Sequence, residues 1–535
     1  MTTRLLLLRW LCLCAVLATG LPGCGGDEGE VEPARPQPRP NVMLISIDTT
    51  RADYLTFDDP DTAPNLTGAA QRGTIFEQAV AGSNWTLPSH AQMLSGMAPA
   101  YHGSEMDRVT LDPAIPLVSE ILKQAGYQTL GVYSNPLLWG NYGFDRGFDY
   151  YHSAMLPENA HKDEIRYAPR GQAAVERMEK LGDAGLVSAP TVLTIAKRAL
   201  ERTKPDQPIF LFAHIMEPHA DYIPPPPWDT RFDPDYEGDF NPVNYIYNPE
   251  VVDYSKQPAR QISDRDLQHV RALYRGEVAA SDDAIGKLLE VLEQHDRLEN
   301  TLVIVTADHG EAFFEHGKPG HRGLFRDTVM RIPLLVIPPA GEREGIARRS
   351  SASVTLSDLL PTILDYAAIE PPEVATGRSL RPAIEQGAFE GRPALFSDYR
   401  VKFRSDGERE HTQTYGLRSP TFKVIRRAVI VDDRIVRLTE RYWDLAKDPD
   451  EKSPVKDAND PRLAKALARL DERLAEARRH WDAHPRTPRD ERDVYVDGWF
   501  EELKMLGYFV AGDEQADVES LKPWGLAPGL PQRAN

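Results

Sequence analysis

Apolar residues along the chain fall into short unbroken runs, each of a length that suits a strand buried on both faces. They are NVMLISID (residues 41–48), QTLGVYS (128–134), PIFLFAH (208–214), TLVIVTAD (301–308) and PLLVIP (333–338). Between them, IPLVSEILKQAGY and RALYRGEVAASDDAIGKLLEVLEQH place apolar residues at three- and four-residue intervals, the helix period, and the first ends near Gly126. Strands alternating with helices predict an α/β fold: a mostly parallel central sheet with helices on both faces. Ligands of such sheets bind beyond the carboxyl ends of the strands. Asp48, His214 and Asp308 each fall at such an end.

From about Glu390 the pattern changes to β-like runs, as in TFKVIRRAVIVDDRIVRL, followed by the charged helical stretch PRLAKALARLDERLAEARRHW. This predicts a large domain over residues 41–389, a smaller α+β subdomain over 390–480 and a wrapping tail over 481–535. The Pro-rich YIPPPPWD and the Asp/Pro/Tyr-rich run to Tyr254 read as a surface excursion, either a lid or a passive insertion. At the other end, Arg4 and Arg9 precede an apolar run from Trp10 to Ala18 that is too short to span a bilayer. Residues 1–23 therefore read as a secretory signal, and LPGC at 21–24 resembles the lipobox at which bacterial lipoproteins are cleaved and acylated on cysteine. Residues 24–40, rich in Gly, acid and Pro, read as an extended tether. The expectation is an exported protein of a bacterial cell envelope, held at the membrane by lipid on Cys24.

Composition narrows the chemistry. All three cysteines, Cys12, Cys14 and Cys24, lie in the leader, so the folded part has no disulfide, no thiolate metal site and no cysteine nucleophile. With 62 basic against 81 acidic side chains, the net charge of -19 repels nucleic acid, and no nucleic-acid partner is expected.

The stretch SNWTLPSHAQMLSG, residues 83–96, opens a helix, because Pro88 suits a first helical turn. That places Thr86 just before or at the cap, where a hydroxyl either satisfies free N–H groups or stands beside a site favouring anions. Asp308 and His309 put a carboxylate and an imidazole side by side, and Asp48 adds a second carboxylate. With the Thr86 oxygen these make a four-ligand set suited to one hard or borderline divalent cation with an open position for substrate.

Five motifs in order, NVMLISIDTTRADYL, WTLPSHAQMLSGMAPAYHG, GYQTLGVYSNPLLWGNYGFDRGFDYY, MEPHADYIPP and TADHGEAFFEHG, resemble the sulfatase family of the alkaline-phosphatase superfamily. SDLLPTILDYAAIEPPEVATGRSL and YWDLAKDPDEKSPV resemble later segments of the same family, so the likeness spans about residues 41–480. It implies an alkaline-phosphatase-like fold and a catalytic domain over 41–389. It also implies that Asp48, Asp308 and His309 are metal ligands and that Thr86 holds the nucleophile position of a Cys/Ser-x-Pro-x-Arg motif. His219 and His321 match positions that contact the ester or its leaving group.

The sequence also departs from the family. Threonine at position 86 argues against formylglycine, His90 stands where the motif has arginine, Thr49 replaces a paired acid, and SNP at 134–136 replaces a Gly-Lys-x-His segment. Substrate anchoring then falls to Asn135 and Arg51, with His90 in place of the missing arginine. A nucleophilic threonine resembles the phosphodiesterase and the phosphoglycerol- or phosphoethanolamine-transferase branches, whose metal is often zinc or manganese where formylglycine sulfatases favour calcium. The expected activity is metal-dependent hydrolysis of sulfate or phosphate esters of a small molecule, glycan or lipid. The rivals are transfer of the group to a lipid or glycan, and a non-catalytic binding protein on the same fold. A threonyl adduct has no second hydroxyl with which to expel sulfate, so water must clear it, which favours phosphate esters.

Overall fold

The computed structural model describes residues 39–487 apart from 106–108, 155–187, 241, 243–244, 246–247, 249, 254–258, 388, 404–408, 432–433, 458 and 486. The signal, most of the tether with Cys24, and nearly all of the tail lie outside the described residues. From Arg39 onward the chain forms one compact unit.

At its centre is an eight-stranded sheet in the order β10-β2-β9-β6-β1-β5-β3-β4. These are β1 (Asn41–Ile47), β2 (Thr74–Val80), β3 (Gln128–Tyr133), β4 (Tyr150–Ser153), β5 (Ile209–Ile215), β6 (Thr301–Thr306), β9 (Leu334–Ile337) and β10 (Arg349–Thr355). β1, β5 and β6 are buried along their whole length, which is why their sequences are continuous apolar runs. Their side chains alternate between two cores. Val42, Leu44, Phe210, Phe212, Leu302 and Ile304 enter one, and Met43, Ile45, Leu211, Ala213, Val303 and Val305 the other.

The connections between these strands include the helices α1 (Pro64–Ala70), α2 (Thr86–Ser95), α3 (Val118–Gln124) and α4 (Ser188–Leu200). The long α5 (Asp264–Gln294) covers the second core with Val270, Tyr274, Val278 and Ile285, while α2 and α6 (Leu359–Tyr366) cover the first.

All pairings in this sheet are parallel except those of β9, which runs against both β2 and β6. A parallel neighbour needs a long crossover, whereas residues 307–333 stay at the carboxyl end of β6 and contribute only the two-residue strands β7 (Ala312–Phe313) and β8 (Pro319–Gly320) and one helical turn. The chain therefore re-enters the sheet in reverse. β2, β4 and β10 escape a search for apolar runs because they lie at or near the sheet edges and are only partly buried. Within the expected surface excursion, Tyr222 and Tyr245 are instead fully buried in the second core.

A second, antiparallel sheet comes later in the chain, in the order β11-β12-β13-β14, formed by β11 (Ala394–Phe403), β12 (Arg409–Arg418), β13 (Phe422–Val431) and β14 (Arg434–Asp444). Helix α7 (Pro461–Ala483) packs Leu463, Leu467 and Leu470 against Leu395, Leu417 and Val424. An ion cluster joins this sheet to the large one. Asp327 lies 2.7 Å from Arg418 and 2.6 Å from Lys423, whose Nζ is also 2.7 Å from Glu451. Burial alone would raise the Asp327 carboxyl, but Lys423 and Arg418 outweigh it and hold the group well below the usual carboxylate range. A depressed folded-state pKa gives stability that is present above about pH 4, the unfolded value, and lost as the pH falls through the folded one. Asp327→Asn strands two cations, and we expect it to cost on the order of 3 kcal/mol, read as a lower melting temperature at neutral pH and a much smaller difference from the parent in strong acid.

Candidate active site

The carboxyl ends of three adjacent strands build the site. Ser46 of β1 lies opposite both His214 of β5 and Thr306 of β6, so the strands finish level and Asp48, His214 and Asp308 emerge at one edge. All three are fully buried. Asp48, Asp308 and His309 each offer one ligand atom within 4.8 Å of the others. His309 Nε2 is 3.4 Å from Asp308 Oδ2 and 4.0 Å from Asp48 Oδ1, and none of these three atoms has a hydrogen-bond partner. Buried polar atoms left unmatched in this way fit a cation, and two carboxylate oxygens with one imidazole nitrogen suit a divalent one.

The remaining atoms of these ligands are fixed by hydrogen bonds. Asp308 Oδ1 accepts from the backbone N–H groups of Thr49 at 3.1 Å and His309 at 2.8 Å, and His309 Nδ1 pairs with the Gly310 carbonyl at 3.0 Å. The ring is thus oriented with Nε2 toward the carboxylates. Asp48 Oδ2 accepts from Asn135 at 2.7 Å and lies 3.3 Å from His214 Nε2.

Burial opposes ionisation of Asp48, but the hydrogen bond and charge of His214, with His219 and His309, pull it well below the usual range. Burial and the Asp48 charge push Asp308 up to about 6. Two carboxylates so close in a dry site ionise together only with a positive partner.

Thr86 is the first residue of α2 and Trp85 holds the cap position, one place earlier than expected for the threonine. No side chain caps this helix. The Thr86 hydroxyl accepts from Asn135 Nδ2 at 3.3 Å, so one amide bridges it to Asp48. His90, one turn along α2, has both ring nitrogens engaged: Nδ1 with the Thr86 carbonyl at 2.8 Å and Nε2 with Ser46 Oγ at 2.9 Å. Burial and His214 push it down to about 3, so the ring is neutral.

The His321 ring lies tilted 4.4 Å from His309 and edge-on 5.5 Å from His219, ring centre to ring centre. Its Nδ1 is 3.3 Å from Glu311 Oε1, and burial with the charges of His309 and His219 pushes it well below the ordinary value. The His219 Nδ1 meets the Ala220 carbonyl at 2.8 Å.

Arg51 stands apart from this group. Its guanidinium is 2.7 Å from both Asp53 and Glu315 and donates to the Glu311 carbonyl at 3.2 Å. The structure therefore brings Asp48, Thr86, His90, Asn135, Asp308, His309, His219 and His321 together and commits Arg51 to protein partners.

In the sequence His214 shows only as one of three polar residues at strand ends, a signal too common to carry weight by itself, and Ser134 only as part of the SNP at 134–136; the structure places Ser134 Oγ 3.2 Å from His214 Nδ1. Glu311, 3.3 Å from His321, carries no such sequence signal.

Known proteins resemble this chain in family profile, in sequence and in fold. The sulfatase family profile matches residues 40–369, and the profile for the C-terminal part of N-sulphoglucosamine sulphohydrolase matches residues 315–480. An arylsulfatase of Clostridium perfringens is 26% identical over 461 residues, covering 77% of this chain and 89% of its own. Among solved structures, the phosphonate monoester hydrolase of Agrobacterium radiobacter superposes with a TM-score of 0.63 at 22% identity, covering 84% of this chain and 96% of its own. A further one, solved with its substrate D-glucosamine-2-N,6-O-disulfate, has a TM-score of 0.59 at 20% identity, covering 86% and 100%.

Proposed function

The chain belongs to the sulfatase family, and from that premise we propose that it hydrolyses sulfate esters of a small molecule or glycan, with Thr86 as nucleophile and one divalent cation on Asp48, Asp308 and His309. The observation that carries this reading is the cluster of three buried, unpartnered ligand atoms beside the threonine that opens α2.

A divalent cation held by Asp48, Asp308 and His309 would lower the pKa of a nearby hydroxyl and screen the negative charge of the ester. The chain does the rest. Asn135 fixes the Thr86 oxygen against Asp48, and the uncapped start of α2 favours the anion. Thr86 gives its hydroxyl proton to water, Thr86 Oγ1 attacks the central atom in line, the bond to the leaving oxygen breaks, and His321 passes to that oxygen a proton it has taken from water. Burial keeps His321 neutral in the resting site, and the arriving anionic ester offsets that push so that the ring can take up the proton it will donate. His219 binds the ester beside it. His90 holds the first turn of α2 through the Thr86 carbonyl. Water then cleaves the threonyl ester.

Likeness to the arylsulfatase of Clostridium perfringens favours sulfate. The single hydroxyl of Thr86 favours a second reading, hydrolysis of phosphate mono- or diesters, since such adducts are cleared by water readily. The test is to load the purified protein with manganese, zinc or calcium in turn and assay aryl sulfate, aryl phosphate and bis-aryl phosphate. Preferential turnover of the sulfate supports the first reading; preferential turnover of either phosphate, with trapped threonyl-phosphate, replaces it with the second.

We also propose export and lipid anchoring through Cys24. Cys24→Ser should move the protein from the membrane fraction to the soluble one, because a lipid rather than a spanning helix is the anchor. An unchanged membrane fraction would contradict this.

A further inference from the structure

The four-stranded sheet has two unlike faces. Register places Leu395, Leu417, Val424 and Tyr442 in one cross-strand row, on the face covered by α7. The opposite face begins with Arg418 and Lys423, which bind Asp327 of the large domain. Rows further along this face bring Arg441 opposite Ile425, Arg427 opposite Thr414, which has Asp398 on its other side, and Arg400 opposite Thr412. This face meets the loop that carries His321. A β-carbon placed on Gly323 would lie 2.9 Å from Arg400 Nη1 and 3.4 Å from Lys318 Nζ. The guanidinium of Arg322 is 5.1 Å from the ring centre of Trp85, the residue before Thr86.

Two of these arginines hold donors without acceptors. Arg400 donates Nε to Asp398 at 2.6 Å, and the neighbouring Lys318 donates to the Arg322 carbonyl at 2.7 Å. Arg400 Nη2 and Arg441 Nε are buried and make no hydrogen bond. Burial, with Arg400 and Arg427, pushes Lys318 down to about 8. A solvated basic surface accounts for exposed arginines, but not for guanidinium donors buried without acceptors, each of which costs free energy until an acceptor arrives. In a chain of net charge -19, this concentration of positive charge sits beside the reacting centre.

We propose that Lys318, Arg322 and Arg400, backed by Arg427 and Arg441, form a subsite for a second oxyanion, a sulfate or carboxylate carried by the same substrate molecule as the ester that is cleaved. The substrate class is thus a polyanionic saccharide rather than a singly charged aryl ester. This rests on the function proposed above, but its test does not need turnover.

In the Thr86→Ala background, calorimetry should show D-glucosamine-2-N,6-O-disulfate binding more tightly than N-acetylglucosamine-6-O-sulfate, which keeps a single oxyanion, by about tenfold or more, the worth of one charge-assisted hydrogen bond or two. Lys318→Gln and Arg400→Gln should each shrink that preference about tenfold, and Arg400→Lys should restore part of it. Should Arg400→Gln fail to fold, leaving Asp398 unpaired, Lys318→Gln carries the test alone, because its ammonium donates to a carbonyl and strands no carboxylate when removed. A parent without the preference, or a folded Lys318→Gln that keeps it whole, overturns the subsite. Parent protein that hydrolyses 4-nitrophenyl sulfate while lacking the preference loses only the subsite. One that binds with the preference but cleaves no ester loses only the proposed reaction.

Discussion

Replacing Thr86 with alanine should remove turnover by roughly 10⁴-fold or more, the scale seen when a covalent nucleophile is deleted, with metal content and melting temperature close to those of the parent. The fold has little stake in this hydroxyl. It accepts one long hydrogen bond, at 3.3 Å, from an Asn135 amide that keeps a shorter one to Asp48. Alanine is also the better helix former at the first position of α2. The three remaining ligand atoms still converge, so the cation stays. Thr86→Ser should keep a measurable fraction of the rate. Activity retained in the alanine variant would take Thr86 out of the chemistry, and loss of metal along with activity would recast it as a ligand alone.

Asp308→Asn should lower metal affinity by about a hundredfold or more, with activity falling in step. Asp308 Oδ1 is already occupied by two backbone N–H groups, so the amide can keep those bonds with its oxygen while turning its NH₂ toward the cation and His309. The missing negative charge is the one that faces the metal. The parent should also show a proton competing with the cation. Without metal, burial and Asp48 push Asp308 up to about 6, so below that pH the carboxyl is protonated and must release its proton for metal to bind. For this group, affinity should fall about tenfold per pH unit below that value and level off above it. Titration calorimetry in buffers of different ionisation enthalpy would count the proton. Full metal occupancy in the Asp308→Asn variant would remove Asp308 from the metal site; a parent that releases no proton near pH 6 would mean that its carboxyl is ionised before the cation arrives.

The parts of this molecule that a sequence displays are those whose constraints are local. β1, β5 and β6 announce themselves because strands buried on both faces admit few polar residues and none that is charged until they end, and the first carboxylates after β1 and β6, Asp48 and Asp308, are the ones that meet. Thr86 is visible because Pro88 marks a helix start, although the cap itself falls to Trp85, a residue with no capping side chain. What stayed hidden depends on distant pairing. The reversed direction of β9 follows from the path of residues 307–333, not from its own apolar run. Ser134 matters only because β3 lies beside β5. Arg400, Arg418, Arg427 and Arg441 of the second sheet look like any solvated charges until register stacks them on one face.

The passage from β6 back into β9 carries Asp308, His309, Glu311, His321 and Asp327 on one continuous piece of chain, and Asp327 is bolted to Arg418 and Lys423 of the second sheet. Ala394 and Phe396 of that sheet are moreover part of the first core. The second sheet is therefore not cargo that recombination could trade freely between relatives. An exchange with its crossover near residue 390 would pair a foreign sheet with a loop shaped for another, and the mismatch would be inherited by the reacting groups themselves. Chimaeras that keep residues 307–444 from a single parent should be the ones that survive.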